Sequence, residues 1–174
     1  EDQAYKVYIS QMTDTIVWYR KHFKLPKGSE NKKIFIEFEG ARQGADVYVN
    51  GHYAGLHENG VMAFGFDITQ YLNFKGSNVI SVRIDNNWDY RERATNTKYQ
   101  WSDRNFNVNY GGLPKNVWLH VTGKLYQTLP LYSNLKTTGV YIYADNFDIQ
   151  GKKARINAES EIRNEHTGNM DVSY

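Results

Sequence analysis

Val47-Tyr48-Val49-Asn50-Gly51-His52-Tyr53-Ala54-Gly55, followed by Phe64-Gly65-Phe66-Asp67-Ile68-Thr69, decides how the rest of the chain is read. Val47 and Val49 alternate with polar or amphipathic neighbours, the period of a half-buried strand, and Asn50-Gly51 supplies the two residues that most readily take positive φ. A hairpin tip is therefore expected at Asn50-Gly51. Gly55, Gly60 and Gly65 then punctuate a stretch carrying His52, Tyr53, His57, Glu58 and Asn59. This stretch is expected as a loop, so that one rim of the fold would hold polar and aromatic side chains on permissive backbone. That rim is the first candidate for function.

Strand alternation recurs on both sides of this hairpin. Residues 16–25 place Val17, Tyr19, Phe23 and Leu25 on one face and Arg20, His22 and Lys24 on the other; 33–39 turn Ile34, Ile36 and Phe38 inward; 78–85 do the same with Ile80, Val82 and Ile84; and 117–121 repeat the pattern. Tyr5, Val7 and Ile9 alternate as a short edge strand would, and 69–72 are expected as one helical turn. From Asn86 to Tyr110 the pattern lapses into a long polar and aromatic segment, and loops of that length inside a domain tend to carry function. Residues 126–137, with Pro130, Ser133 and Asn134, are expected as a linker. Strands are expected again at 140–144 and 154–162, and the start of another at 170–174. Three strands do not cover both faces of a sandwich, which implies an incomplete second domain.

Composition narrows the function classes. In 174 residues, 40% hydrophobic and 23% charged content is that of an ordinary globular protein, and the net charge of +2 is spread without a basic run, which argues against nucleic-acid or membrane-surface partners. There is no cysteine, so thiol chemistry and cysteine-bound zinc are excluded. Aromatics make up 15% of residues, a content suited to sheet packing and to stacking on sugar rings alike. No cofactor is expected. His52, His57 and Glu58 lack a spacing that defines metal geometry, and Arg91-Glu92-Arg93 reads as an exposed, locally compensated charge cluster.

With these pieces in order, the chain resembles the N-terminal sugar-binding jelly-roll domain of glycoside hydrolase family 2, the β-galactosidases, β-glucuronidases and β-mannosidases. The residues that carry the resemblance are Trp18-Tyr19-Arg20-Lys21 with Phe23, Phe38-Glu39-Gly40, Val47-Tyr48-Val49-Asn50-Gly51, Phe64-Gly65-Phe66-Asp67-Ile68-Thr69, Asn78-Val79-Ile80-Ser81-Val82-Arg83, and Tyr110-Gly111-Gly112-Leu113 leading to Val117-Trp118-Leu119. Thr138-Gly139-Val140-Tyr141-Ile142 and Glu161-Ile162-Arg163-Asn164 resemble the opening of the family's next, immunoglobulin-like domain. The implied fold class is all-β: a jelly-roll, galactose-binding-like β-sandwich over 1–125, a linker over 126–137, and a truncated Ig-like β-sandwich over 138–174.

The resemblance implies that the catalytic unit, a (β/α)8 barrel with two glutamates, lies elsewhere in a parent polypeptide; a retaining glycosidase needs its two carboxyl groups about 5 Å apart. Within the family the jelly roll helps shape the sugar pocket, and Asn50 matches a loop asparagine that serves there. Its amide would be left free for sugar hydroxyls, although Asn-Gly is also what the turn itself wants. The family's frequent acidic sugar contact falls at Phe106, a departure that leaves Asp103, Asn105 or Asn107 as replacements and Trp101 as a stacking platform. Lys115-Asn116 stand where an Arg-Asp pair is frequent, so a salt bridge is expected to be missing there. Asn164-Glu165 lie in the wrong domain for the family's acid/base motif.

The expected partners are a terminal β-linked sugar, a galactoside in first place, and the downstream barrel. Lys98 and Arg104 keep a glucuronate carboxylate open as a ligand. A location outside the cytoplasm is the family expectation. Two alternatives stand beside this reading: a stand-alone carbohydrate-binding module with sugar on Trp88, Tyr90 or Trp101, and a purely structural domain.

Overall fold

A computed structural model describes residues 16–58, 62–87, 89–98 and 111–173. The first seven strands form two antiparallel sheets: β1 (Ile16–Phe23), β6 (Asn78–Asp85), β3 (Gly44–Val49) and β4 (His52–Glu58) lie side by side in that order, and β5 (Phe64–Asp67), β2 (Lys33–Phe38) and β7 (Val117–Thr122) make the second. Side-chain alternation with a period of two turns Ile34, Ile36 and Phe38 of β2 toward Ala45, Val47 and Val49 of β3 and Ile80, Val82 and Ile84 of β6, so one apolar core fills the space between the sheets. Phe38 and Phe64 stack inside it at 4.8 Å. Each such side chain stabilises the fold by about 1.5–3 kcal/mol through burial alone. The fold is an all-β, galactose-binding-like sandwich.

The Asn50-Gly51 tip is as expected: both residues take positive φ, 50° and 83°, the backbone that joins two tightly twisted strands. The residues after it are not the expected loop. His52–Glu58 is β4, paired with β3 along its length, with an irregularity opposite Val47 and Tyr48. Gly55 makes this possible, because a Cβ there would lie 2.4 Å from the ring of Phe66. The expected helical turn is a 3₁₀ turn, Thr69–Tyr71.

The stretch expected as a linker carries structure of its own. β8 (Leu125–Gln127) pairs with β11 (Ile162–Asn164), and a single helical turn, α1 (Tyr132–Leu135), follows it. β9 (Val140–Asp148) and β10 (Lys153–Ser160) form a two-stranded ribbon. Residues 170–173, expected to open another strand, are irregular. This second part rests on the outer face of the three-stranded sheet: Tyr126 packs at 5.5 Å on Phe35, Leu131 is buried against Gly65, and Lys33 bridges Asp67 and Glu165, the latter at 3.0 Å. The expected edge strand at 5–9 lies outside the described residues.

Candidate functional site

The register of the four-stranded sheet brings three strand ends to one rim: Gly44 opens β3 opposite both Asp85, the last residue of β6, and Glu58, the last residue of β4. The long polar and aromatic segment leaves and re-enters the sandwich here. On the outgoing side, Tyr90 donates its hydroxyl to Glu58 Oε1 at 2.5 Å, and the same oxygen accepts the backbone N–H of Arg93 at 2.9 Å. The Tyr90 ring lies so close over Gly44 that a Cβ would meet its hydroxyl at 2.2 Å. There too, Gln43 Nε2 donates to the Asn87 carbonyl at 3.1 Å, and on the returning side Arg42 and Gly112 exchange backbone hydrogen bonds at 3.0 and 3.1 Å. Both ends of the segment are thus sewn to the start of β3.

A charged clamp completes the anchorage. Arg93 sends two parallel hydrogen bonds to Asp46, Nη1 to Oδ1 at 2.8 Å and Nη2 to Oδ2 at 2.5 Å, and Arg83 Nη1 adds a third at 3.3 Å. Asp46 is only 3% exposed although it faces outward from β3, because these guanidiniums and Tyr53 cover it. Burial alone would push its carboxyl up; the Arg93 fork, the Tyr53 hydroxyl and Arg83 together outweigh that and hold it below the usual carboxylate range. Arg93 is correspondingly raised by its bonds to Asp46, and burial followed by Glu58 pushes the Tyr90 hydroxyl far up, so Tyr90 remains a donor. An aspartate held ionised between two guanidiniums suits positioning, not proton transfer.

The residues singled out from sequence are distributed differently from the expected single rim. Asn50 lies just past the opposite end of β3 from Gly44, about 20 Å away at the usual rise of a strand. Its amide is not free as expected: Nδ2 donates to the Tyr71 carbonyl and to Asn78 Oδ1, both at 2.8 Å, and Oδ1 accepts the Val79 N–H at 2.8 Å. The turn asparagine is spent on locking the hairpin to β6. His52 stacks on Tyr71 at that end, whereas His57 is buried against Phe64 at 4.1 Å near the other.

Trp101, Asp103, Asn105, Asn107, Phe106, Arg104 and Trp88 lie outside the described residues. Lys98 is at the near end of their segment, bridged to Arg91.

One expectation about charge needs correcting. Arg91-Glu92-Arg93 is not compensated locally, since Arg93 reaches 47 residues back to Asp46; the signal was an aspartate inside an otherwise apolar strand. At Lys115-Asn116, Glu39 accepts hydrogen bonds from the Asn116 side chain at 3.1 Å and from the Trp118 indole N–H at 2.8 Å, both neutral donors. Glu165, set aside as a catalytic acid, accepts from Tyr126 at 2.7 Å and pairs with Lys33.

Comparison with known proteins fits this architecture. Residues 3–118 match the family model described as the glycosyl hydrolase 2 galactose-binding domain-like domain. The chain belongs to glycoside hydrolase family 2. It is 46% identical over 157 residues to a β-glucuronidase of Formosa agariphila, covering 90% of this chain and 16% of that protein. It is 37% identical over 109 residues to a β-galactosidase of Thermoanaerobacter pseudethanolicus, covering 61% of this chain and 14% of the relative. The structure of a family 2 β-glucuronidase superimposes with a TM-score of 0.77 at 45% identity, over 88% of this chain and 16% of the other. The chain therefore spans about a sixth of the length of these family 2 relatives.

Proposed function

We propose that this chain is the non-catalytic sugar-pocket part of a family 2 β-glycosidase, with residues 99–110 as the segment that meets the sugar. The observation that carries this reading is the double anchorage of that segment: Tyr90 and Arg93 on one side and the Arg42–Gly112 bridge on the other hold its ends at one rim of the sandwich. Pre-organised loop ends reduce the entropy lost when a ligand is gripped. Trp101 is the stacking platform in this reading, and Asp103, Asn105 and Asn107 are the hydroxyl acceptors and donors. Asn50 contributes by fixing the hairpin, since its amide is already engaged. A (β/α)8 barrel of the same polypeptide supplies the two carboxylates and the chemistry. The second part of the chain is read as the opening of an Ig-like domain that begins at β8, a boundary supported by the β8–β11 pairing.

Glucuronides are the first substrates to test, because similarity to a protein named β-glucuronidase extends over 90% of the chain. Galactosides are the second reading, favoured by 37% identity to a β-galactosidase. The parent polypeptide should be assayed on aryl β-glucuronides and aryl β-galactosides, with Asp103→Ala and Trp101→Ala beside it. A tenfold or greater rise in KM in either variant supports the pocket role. Unchanged kinetics in both would remove the segment from the site.

A further inference from the structure

The outward face of the four-stranded sheet carries a second arrangement, made of described residues only. Strand register sets two rows across it. Arg20, Ser81, Tyr48 and Tyr53 lie in one, and Trp18, Arg83, Asp46 and Leu56 in the next. Ser81 is short, so Trp18 leans diagonally across it to Tyr48, with ring centroids 5.9 Å apart and planes tilted by 32°. Tyr48 meets Tyr53 at 5.3 Å and 53°. The result is a continuous strip of three rings whose outer members are open to solvent, Trp18 at 57% and Tyr53 at 48% exposure.

The strip is held in place and bordered by polar groups. Tyr53 donates its hydroxyl to Asp46 at 3.2 Å, and Asp46 is itself gripped by the Arg93 fork. Arg83 ties Asp46 to Asp85, reaching the latter at 2.9 Å. The two aspartates are therefore balanced by two guanidiniums. Arg20, in the row of Tyr48, has no hydrogen-bond or ion-pair partner among the described residues.

A pyranose ring presents a C–H face that packs on aromatic rings and a rim of hydroxyls that needs donors and acceptors beside them; this face offers both, already oriented. A protein partner would favour a patch whose centre is depleted of charge, and here Asp46, Arg83 and Arg93 interleave with the rings. A lone uncompensated arginine next to the strip is matched by a carboxylate, which a guanidinium binds with two parallel bonds. Two ring-to-ring steps span more than one sugar, and an open sheet face accommodates the middle of a chain where a cleft would take its end. The successive tilts follow a twisted, soluble chain rather than a flat crystalline surface.

We propose that the face formed by Trp18, Tyr48 and Tyr53, with Arg20 beside it, binds internal units of a uronate-containing polysaccharide. This site uses neither the 99–110 segment nor a barrel, so it stands or falls independently of the pocket reading above.

Affinity electrophoresis tests it, with the chain run through native gels containing soluble polygalacturonate, neutral β-1,4-galactan or no polymer. The expected result is retardation by polygalacturonate, weakened about tenfold in Trp18→Ala. Arg20→Gln is expected to weaken it several-fold and to abolish the preference over galactan. Trp118→Ala removes an equally open tryptophan, 50% exposed on the other sheet, and Lys152→Gln removes one positive charge elsewhere; neither should change retardation. Should Trp18→Ala not fold, judged by circular dichroism, the exposed Arg20→Gln variant carries the test. Absence of retardation, equal loss in Trp118→Ala or Lys152→Gln, or equal retardation by both polymers would each overturn the proposal.

Discussion

β6 and β9 are both long antiparallel strands with alternating apolar residues, yet they end in opposite environments. Along β6 every second residue is buried, Asn78, Ile80, Val82 and Ile84 in turn, because β2 of the opposing sheet supplies Ile34, Ile36 and Phe38 to meet them. Along β9, Val140, Tyr141, Ile142 and Phe147 are all exposed, and so is Ile156 on its partner β10. Alternation is enough to specify a strand and its two faces. Burial requires a second layer.

That contrast can be broken most strongly in the sandwich core. Phe38→Ala removes a buried ring stacked on Phe64 and is expected to cost about 3–5 kcal/mol in urea unfolding. A loss below about 1 kcal/mol would mean that the two sheets do not share one core.

Next comes the clamp on the rim. Asp46→Ala leaves Arg93 without its carboxylate and Arg83 with Asp85 alone, and is expected to cost about 2 kcal/mol, less than a fully buried pair because the Arg93 side chain is half open to water. Since the Asp46 carboxyl is held down in the folded state, its contribution is complete above the ordinary carboxylate value of about 4 and fades as pH falls through the lowered one. Melting curves of wild type and Asp46→Ala should therefore converge only in strong acid; a constant gap down to pH 2 would contradict the assignment.

Smaller still is the junction of the two parts. Glu165→Gln weakens the pairing with Lys33 and the bond from Tyr126, partly exposed interactions worth about 1 kcal/mol or less. Amide exchange should quicken at 125–127 and 162–164 and stay unchanged at 78–85. In the ribbon, Ile156→Ser should move stability by no more than about 0.5 kcal/mol, since the side chain is already in water. A cost as large as that of Phe38→Ala would show that the ribbon has a core after all.

Reading the fold from sequence succeeded where the signal was local. The Asn50-Gly51 turn has the positive φ its residues prefer, whereas the site residues expected at 101, 103, 105 and 107 lie outside the described residues. It failed for β4, because three glycines resemble loop punctuation unless one knows that the Phe66 ring occupies the space beside Gly55. The linker expectation failed for a related reason: Leu125–Gln127 is too short to show a period, and its pairing partner is more than thirty residues later.

By itself, then, the sequence determined the all-β class, most strand positions, the hairpin tip and the family, since each rests on periodicity, turn chemistry or motifs confined to short stretches. Only the tertiary structure decided that Arg93 clamps Asp46, that the Asn50 amide is consumed by Tyr71, Asn78 and Val79, and that Trp18 reaches Tyr48 over Ser81. Those pairings join residues that are distant along the chain. Strand register brings them together, and register is set by the whole sheet.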